Sequence, residues 1–441
     1  MARAHGGHGQ GPETGTDIGA ETGPDIGAET GPAVGPVVGP AVGPAVGTEK
    51  LRAWWAHRQW LDGGHHGASA GEVLAATGWA RSVGGAAPYL GLFARAGLGR
   101  AAVDAAVAGL EVHELPAARG CTYLVPAEDF ALALAAGAAV PEGEVAAAAR
   151  HLGVTGGEVE RLCLAVDRAL AGAPGPLDPA AIRVAVGEAV RTLGEPGRKR
   201  GLSTTLPLAL GLMQSRGQVR RVPANGRLDQ QRYGYLRWDQ PVGGSAADLA
   251  RRYLTWAGPA SPKHFRWFSG FGAATARQAL AEAGAVPAAP GSELLVLPEL
   301  LDAFAAFTVP DEPHYTLLAG IDGIHLLHRE LARLVDPADA VRPLPTGRAG
   351  RSFGTEADPQ THIVLDRGRI VGFWEYDTER AEIVHLSFVP SNAELRAAVA
   401  RTEEFVRAEL GDARGFSLDS PKSRAPRIAA LRASSEEPPK G

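Results

Sequence analysis

Cysteine is scarce in this chain: two residues, Cys121 and Cys163, in a sequence of 441. That count offers no disulfide framework, and the spacing rules out a C-x-x-C zinc or redox site, so a reducing cytoplasm is the expected setting. No run of ~18 uninterrupted apolar residues occurs, and no membrane span is expected. No basic start leads into an apolar segment, so no secretory signal is read. H-E-x-x-H is missing too. Asp322, His325, His328 and Glu330 supply metal-ligand types, but their histidines stand at i,i+3, which converges less well than i,i+4. His65-His66 sits in a Gly-flanked loop with no third ligand close in sequence. No metal and no cofactor is expected.

Aromatic residues are absent from the first 48 positions, where TGTDIGAETGPDIGAETG and GPAVGPVVGPAVGPAVG are short tandem repeats. Such a segment cannot bury enough surface to offset chain entropy, and 1–48 is expected to be a disordered tail. Gly does not recur strictly every third residue, which excludes a collagen helix. Folded structure is expected from about Glu49, where LRAWWAHRQWL brings Trp54, Trp55 and Trp60. Neighbouring positions on a helix cannot share one face, so at least one of Trp54 and Trp55 should pack against another module.

What is present is a threefold recurrence of helix, turn, strand, loop and strand. The copies are AAVDAAVAGL–EVHEL–TYLVP, STTLPLALGLMQSRG–QVRRV–YGYLRW and TARQALAEAG–AVPAA–ELLVLP. A helix followed by a β-hairpin is how a winged helix-turn-helix ends, and such modules lay a helix in a DNA groove. Helices are expected over 127–150, 155–171 and 178–193, the last two opening at Thr155 and Asp178. Ser203 reads as the N-cap of the second recurring helix, with Pro207 near its start. DLARRYLTWAG and KHFRWFSG are further helices, and Trp267 and Phe268 in the latter read as hydrophobic contacts. HIVLDRGRIVGFWEYDTERAEIVHLSFVP alternates around turns at Arg367-Gly368 and Asp377-Thr378, predicting a three-stranded meander over 362–388. NAELRAAVARTEEFVRAELG then closes the chain as a helix.

The net charge of −5 is unevenly spread. The first 48 residues hold Glu13, Asp17, Glu21, Asp25 and Glu29 against Arg3, a net of −4, which leaves −1 for the rest. Arg198, Lys199, Arg200, Arg216, Arg220, Arg221, Arg227, Arg232 and Arg237 crowd around the second copy, a basic face suited to a polyanion. Arg198, Lys199 and Arg200 precede a helix whose start carries Ser203, Thr204 and Thr205, a place for phosphate. Arg220, Arg221, Asn225 and Arg227 lie on the wing strand and its loop, where backbone or minor-groove contact fits. Lys422 and Arg424, in the Pro-interrupted LDSPKSRAPR, either rest on DNA or tie down the terminus.

ELPAARGCTYLVPAEDFALAL, ADLARRYLTWAGPASPKHFRWFSGF and LLAGIDGIHLLHRE together resemble bacterial winged-helix proteins of the AlkZ-like alkylpurine DNA glycosylase group, over roughly 50–432. The resemblance implies three tandem winged helices around a concave DNA face, plus a C-terminal β-barrel-like domain. It also implies excision of alkylated or crosslinked bases through a Gln-x-Gln motif in the first module. Counting back from Phe93-Ala94-Arg95 places that motif at Arg81-Ser82-Val83, and neither glutamine is there. Val83 cannot hold a water as a glutamine carbonyl would, and the Arg81 charge opposes an oxocarbenium-like sugar. Asp322 matches an acidic position of the group, with a capping role as the alternative to catalysis.

The expected fold is mainly α with β-hairpins: a tail at 1–48, winged-helix modules at 49–150, 151–240 and 241–310, a barrel-like domain at 311–432 and a frayed end at 433–441. The expected partner is double-stranded DNA, held through its backbone where it is damaged or distorted. The rival readings are an active glycosylase using other residues, a transcription regulator reading one operator, and a module whose winged helices contact proteins. No dimerisation helix is evident for a regulator reading paired half-sites.

Overall fold

Helix starts in this chain are written by short polar side chains. Ser69, Thr155 and Ser245 each accept the backbone N–H three residues on, and Glu72, Glu158 and Asp248 reach back, completing capping boxes. The computed structural model describes residues 46–230, 232–344 and 352–436, so the tail expectation for 1–45 and the terminal residues 437–441 fall outside it. Within it, helix begins at Thr48, and the C-terminal helix runs through 433–436, where a frayed end was expected.

The first stretch is α1 (Thr48–Arg58), α2 (Ala70–Thr77), β1 (Ala80–Arg81), α3 (Ala87–Ala96), α4 (Arg100–Ala108), β2 (Val112–Pro116) and β3 (Thr122–Pro126). The three strands form one antiparallel sheet in the order β1-β3-β2. Next come α5 (Phe130–Gly137), α6 (Ala139–Leu152), α7 (Gly156–Ala171), α8 (Pro179–Val186), α9 (Gly194–Arg198), α10 (Leu206–Ser215) and the hairpin β4 (Val219–Pro223)–β5 (Tyr233–Arg237). The helical run Ala127–Leu152 is long and apolar enough to cross a membrane by length and composition alone. Phe130, Ala133 and Leu134 of that run nevertheless lie in the protein core. The helix expected from Ser203 starts at Leu206 instead. Pro207 fits only a first turn, and Thr205 is fully buried, its hydroxyl accepting the Arg191 N–H at 3.1 Å.

A third stretch holds α11 (Ala246–Ala257), α12 (Pro262–Ser269), α13 (Ala273–Glu282), β6 (Val286–Pro287), β7 (Leu295–Val296) and α14 (Pro298–Ala306). The hairpin expected here shrinks to two residues per strand, because Pro287 ends the ladder by removing a donor.

The last stretch is β8 (Tyr315–Leu318), α15 (Gly323–Leu326), α16 (Pro337–Ala340), β9 (His362–Asp366), β10 (Arg369–Asp377), β11 (Glu382–Ser387), α17 (Ala393–Phe405) and α18 (Pro421–Glu436). The meander gains β8 as a fourth strand, in the order β11-β10-β9-β8. Arg367 and Gly368 both have positive φ, 46° and 82°, which joins β9 to β10 in the tight turn that their sequence announced. A side chain at Gly368 would also strike the Arg52 carbonyl at 1.9 Å. The expected barrel is not there: the described strands form an open sheet, with α17 packed on β8 and α18 on β10 and β11. Four strands are too few to curl into a filled cylinder, and helices cover the sheet instead.

The first sheet is the hub of the packing. Val112 and Leu124 join Tyr89, Leu90, Trp374 and Phe405 in one core, while Leu115 and Tyr123 join Trp256, Phe265 and Phe268 in another. Helices α7 and α10 with the β4–β5 hairpin bury their own core around Leu162, Val166, Leu210 and Tyr235. Trp54 and Trp55 are both buried. Their indole N–H groups donate to the Gly258 carbonyl at 2.8 Å and the Pro259 carbonyl at 3.1 Å, so both pack against the third stretch.

Candidate nucleic-acid interface

Arg81 ends β1, and the extended backbone continues through Ser82, whose N–H donates to the Thr122 carbonyl, so their side chains go to opposite sides of the first sheet. Arg81 pairs in register with Tyr123, donates from Nη1 to the Thr122 carbonyl at 2.7 Å and lies 5.5 Å from the Tyr123 ring centre. Ser82 turns inward and donates to the Glu114 carboxylate on β2. Glu114 is 2% exposed, and its Oε2 has no hydrogen-bond partner among the described residues. Val83 is half-buried, and its carbonyl accepts the Ser417 N–H at 3.0 Å.

Around the β2–β3 hairpin, more arginines meet aromatic rings. Arg119, at the hairpin tip with φ 60°, stacks 3.7 Å from the Trp267 ring centre, and Arg329 stacks 3.8 Å from the same ring. Trp267 is therefore sandwiched between two guanidinium groups, each a cation–π contact. Arg329 is anchored by Asp358, at 2.7 Å from its Nη2. Burial opposes ionisation of Asp358, but hydrogen bonds from His325 and Arg329 outweigh it and hold the carboxyl well below the usual range. Arg221 donates to the Thr122 hydroxyl at 3.1 Å and stacks 4.3 Å from Tyr233. Burial raises the Tyr123 phenol pKa, with Arg81 and Arg119 pulling the other way. Arg81 and Arg119 have no carboxylate partner among the described residues, so their charge stands uncompensated on a surface floored by rings.

The remaining candidates divide by what they already hold. Arg198 and Lys199 are exposed and share Glu195, at 2.9 and 3.8 Å. Arg200 and Ser203 are exposed, Thr204 is half-buried and bridges to Thr192, and Thr205 is buried as described. Arg220 is half-buried, while Arg221 is 8% exposed. Asn225 caps its own loop, accepting from the Arg227 N–H and donating to Gln230. Arg227 pairs with Asp229 and donates to the Leu410 carbonyl at 3.0 Å, which ties the second hairpin's loop to the end of the α17 segment. Arg424 is 1% exposed and holds Asp412 through both terminal nitrogens, whereas Lys422 is exposed. Asp322 is buried against Arg95 at 2.8 and 2.9 Å and caps α15 by accepting the Ile324 N–H. His325 and His328 face Asp358 and the Ala257 carbonyl respectively, and no three ligand-type side chains converge among the described residues.

Arg119, Trp267 and Arg329 were not legible as one group. The signal was the interleaving of base and ring in KHFRWFSG, a pattern that also fits a core helix, as buried Phe268 shows. Guanidinium groups layered on rings at a hairpin are the chemistry of surfaces that hold nucleic-acid backbone and bases.

The class of protein follows from comparison with known families: residues 69–413 match the family described as DNA glycosylase AlkZ-like, and the chain belongs to that family. It is thereby a DNA-binding, repair-related protein. Among solved structures it is similar to the Streptomyces sahachiroi DNA glycosylase AlkZ, with a TM-score of 0.63 and 21% identity over 83% of this chain and 98% of that one. At that identity the likeness is one of fold. No curated protein matches the sequence.

Proposed function

We propose that the chain binds damaged or distorted duplex DNA through its phosphate backbone and that the glutamine chemistry implied for its family is lost. The observation that carries this reading is Arg81, a cation with no carboxylate partner among the described residues, bonded to a backbone carbonyl at the place counted for the family's motif. The order α2, β1, α3, α4, β2, β3 supports a winged-helix unit in 49–150, with α4 as the recognition helix and β2–β3 as the wing. The second and third stretches repeat helix then hairpin and are read as the units of 151–240 and 241–310. Arg119 joins Arg81 as a phosphate contact, and Arg200, Lys422 and Arg220 extend the basic surface.

One observation favours a second reading, an active glycosylase. Glu114 is a buried carboxylate with one free oxygen, bonded to the middle residue of the motif position. A carboxylate there could orient water or balance a cationic sugar, as a glutamine carbonyl would.

The test is incubation of the full chain with duplex DNA carrying 7-methylguanine, split between a native gel and alkali treatment. A shifted band with intact DNA is the expected result. Alkali-labile breaks that vanish in Glu114→Gln would establish the second reading. No shift at low ionic strength would overturn both.

A further inference from the structure

Two large apolar side chains stand in solvent beside the motif position: Phe416 is 48% exposed and Leu418 is 69% exposed. They sit on one tight loop, Arg414–Ser420, just beyond the stretch matched to the family, which ends at 413. We infer that this loop is a wedge that inserts Phe416 and Leu418 into the base stack of bound duplex DNA, an inference that rests on the DNA-binding reading above.

The loop is held rigidly from below. Ser417 N–H donates to the Val83 carbonyl at 3.0 Å, and Ala86 N–H donates to the Arg414 carbonyl at 2.9 Å. Gly85 lies so close that a Cβ there would stand 2.4 Å from the Gly415 carbonyl oxygen. Inside the loop, Gly415 N–H donates to Asp419 at 3.0 Å, and Asp419 N–H donates to the Phe416 carbonyl at 3.0 Å. Asp419 is itself 2% exposed and bonded to Arg427. The Arg414 side chain donates to the Asp229 carbonyl, joining the loop to the second hairpin.

A loop fixed at this many points has little left to lose in ordering, yet its two apolar side chains find no place in any core. Exposed apolar side chains on a rigid mount serve an occupant, and the surroundings name its charge. Val83 is two residues from Arg81, whose Thr122 anchor also binds Arg221, and Lys422 follows the loop on the other side. The loop is thus bonded to the residue two beyond Arg81 and followed by the exposed Lys422, while its own Asp419 is paired with Arg427, so the cations that flank it in sequence suit a polyanion. Phe and Leu are the side chains that DNA-bending proteins drive between base steps, unstacking them. A damaged or abasic step costs least to open, so such a wedge would favour the distorted duplex over the intact one.

The test uses the full chain and a duplex with 2-aminopurine beside an abasic analogue, reading anisotropy and 2-aminopurine fluorescence together. Saturating protein should raise the fluorescence several-fold as the base unstacks. Phe416→Ser with Leu418→Ser, both at exposed positions, should retain the melting temperature, bind with roughly tenfold lower affinity and lose most of the fluorescence rise at saturation. Phe416→Trp should keep that rise. Binding by the parent without a fluorescence change, or an undiminished rise in the double variant, overturns the wedge and leaves the DNA reading standing. Dimerisation abolished by the double variant, without a fluorescence effect, would assign the patch to a second copy. No anisotropy change at low salt would overturn the DNA reading itself and the wedge with it.

Discussion

Single residues here show how far burial overrides ordinary chemistry. His113 on β2 is 1% exposed between Phe130 and Trp238, and neither ring nitrogen has a partner among the described residues. Burial first, then the charges of Arg220 and Arg221, lowers its pKa to about 3. His328, stacked 3.8 Å from Trp55, is lowered to about 3 by burial and then by His264. In the unfolded chain both return to about 6.5, so the unfolded state binds more protons between those values. Their stabilisation is complete above pH 6.5 and is lost as pH falls toward 3. At pH 5 each should cost about 2 kcal/mol relative to neutral pH. Urea midpoints at pH 7.5 and 5 check this, and His113→Phe should shrink the drop by about 2 kcal/mol. An unchanged drop would mean that His113 titrates alike in the folded and unfolded chain, so that burial does not lower its pKa. Residue fates of this kind were only partly legible. The Arg227–Asp229 pair was within reach of a sequence reading, at two residues' separation. Arg424 looked free because its partner Asp412 comes near only once the loop between them folds back.

Elements announced by pattern were readable, and those made by packing were not. The first two hairpins followed from alternation, and Thr155 and Asp178 cap their helices as their residue types require. The strand at Tyr315–Leu318 is four residues long and fully buried, too short to display a period, so the meander seemed to have three strands. α18 is the sharpest case. Pro426 stands inside it and argues against a helix, since it removes a backbone donor and crowds the preceding turn. Packing supplies what propensity withholds. Arg427 donates to Glu375 at 2.6 Å and to Asp419 at 2.8 and 3.0 Å, and Arg432 bonds Asp377 and Glu382, pinning the helix to β10 and β11. Glu375 and Asp419 are 1% and 2% exposed, so removing Arg427 takes the paired cation from two buried carboxylates that keep only neutral hydrogen-bond donors. Arg427→Ala should cost about 3–5 kcal/mol in urea unfolding, as breaking a buried pair does. A loss under about 1 kcal/mol would show that the pair is solvated and not what holds α18.

At the scale of the whole molecule, net charge misleads. The chain is −5 overall, yet nearly all of that lies in its first 48 residues, while Arg81 and Arg119 meet at the sheet to which the first two cores both contribute. That placement could not be read from sequence, because Trp267 and Arg329 reach the hairpin only when the third and last stretches pack against the first. A phosphate-bound arginine releases counterions, so each contact adds about 0.9 to the steepness of log K against log salt. Arg81→Ala and Arg119→Ala should each weaken binding alike on every duplex sequence and flatten that slope by about 1. Arg424→Ala, which removes a cation of equal charge from an internal pair, should leave the slope as it was while lowering stability. Binding titrations from 50 to 200 mM salt separate the cases. If Arg424→Ala flattened the slope and Arg81→Ala did not, the DNA face would lie along the C-terminal helix, away from the first hairpin.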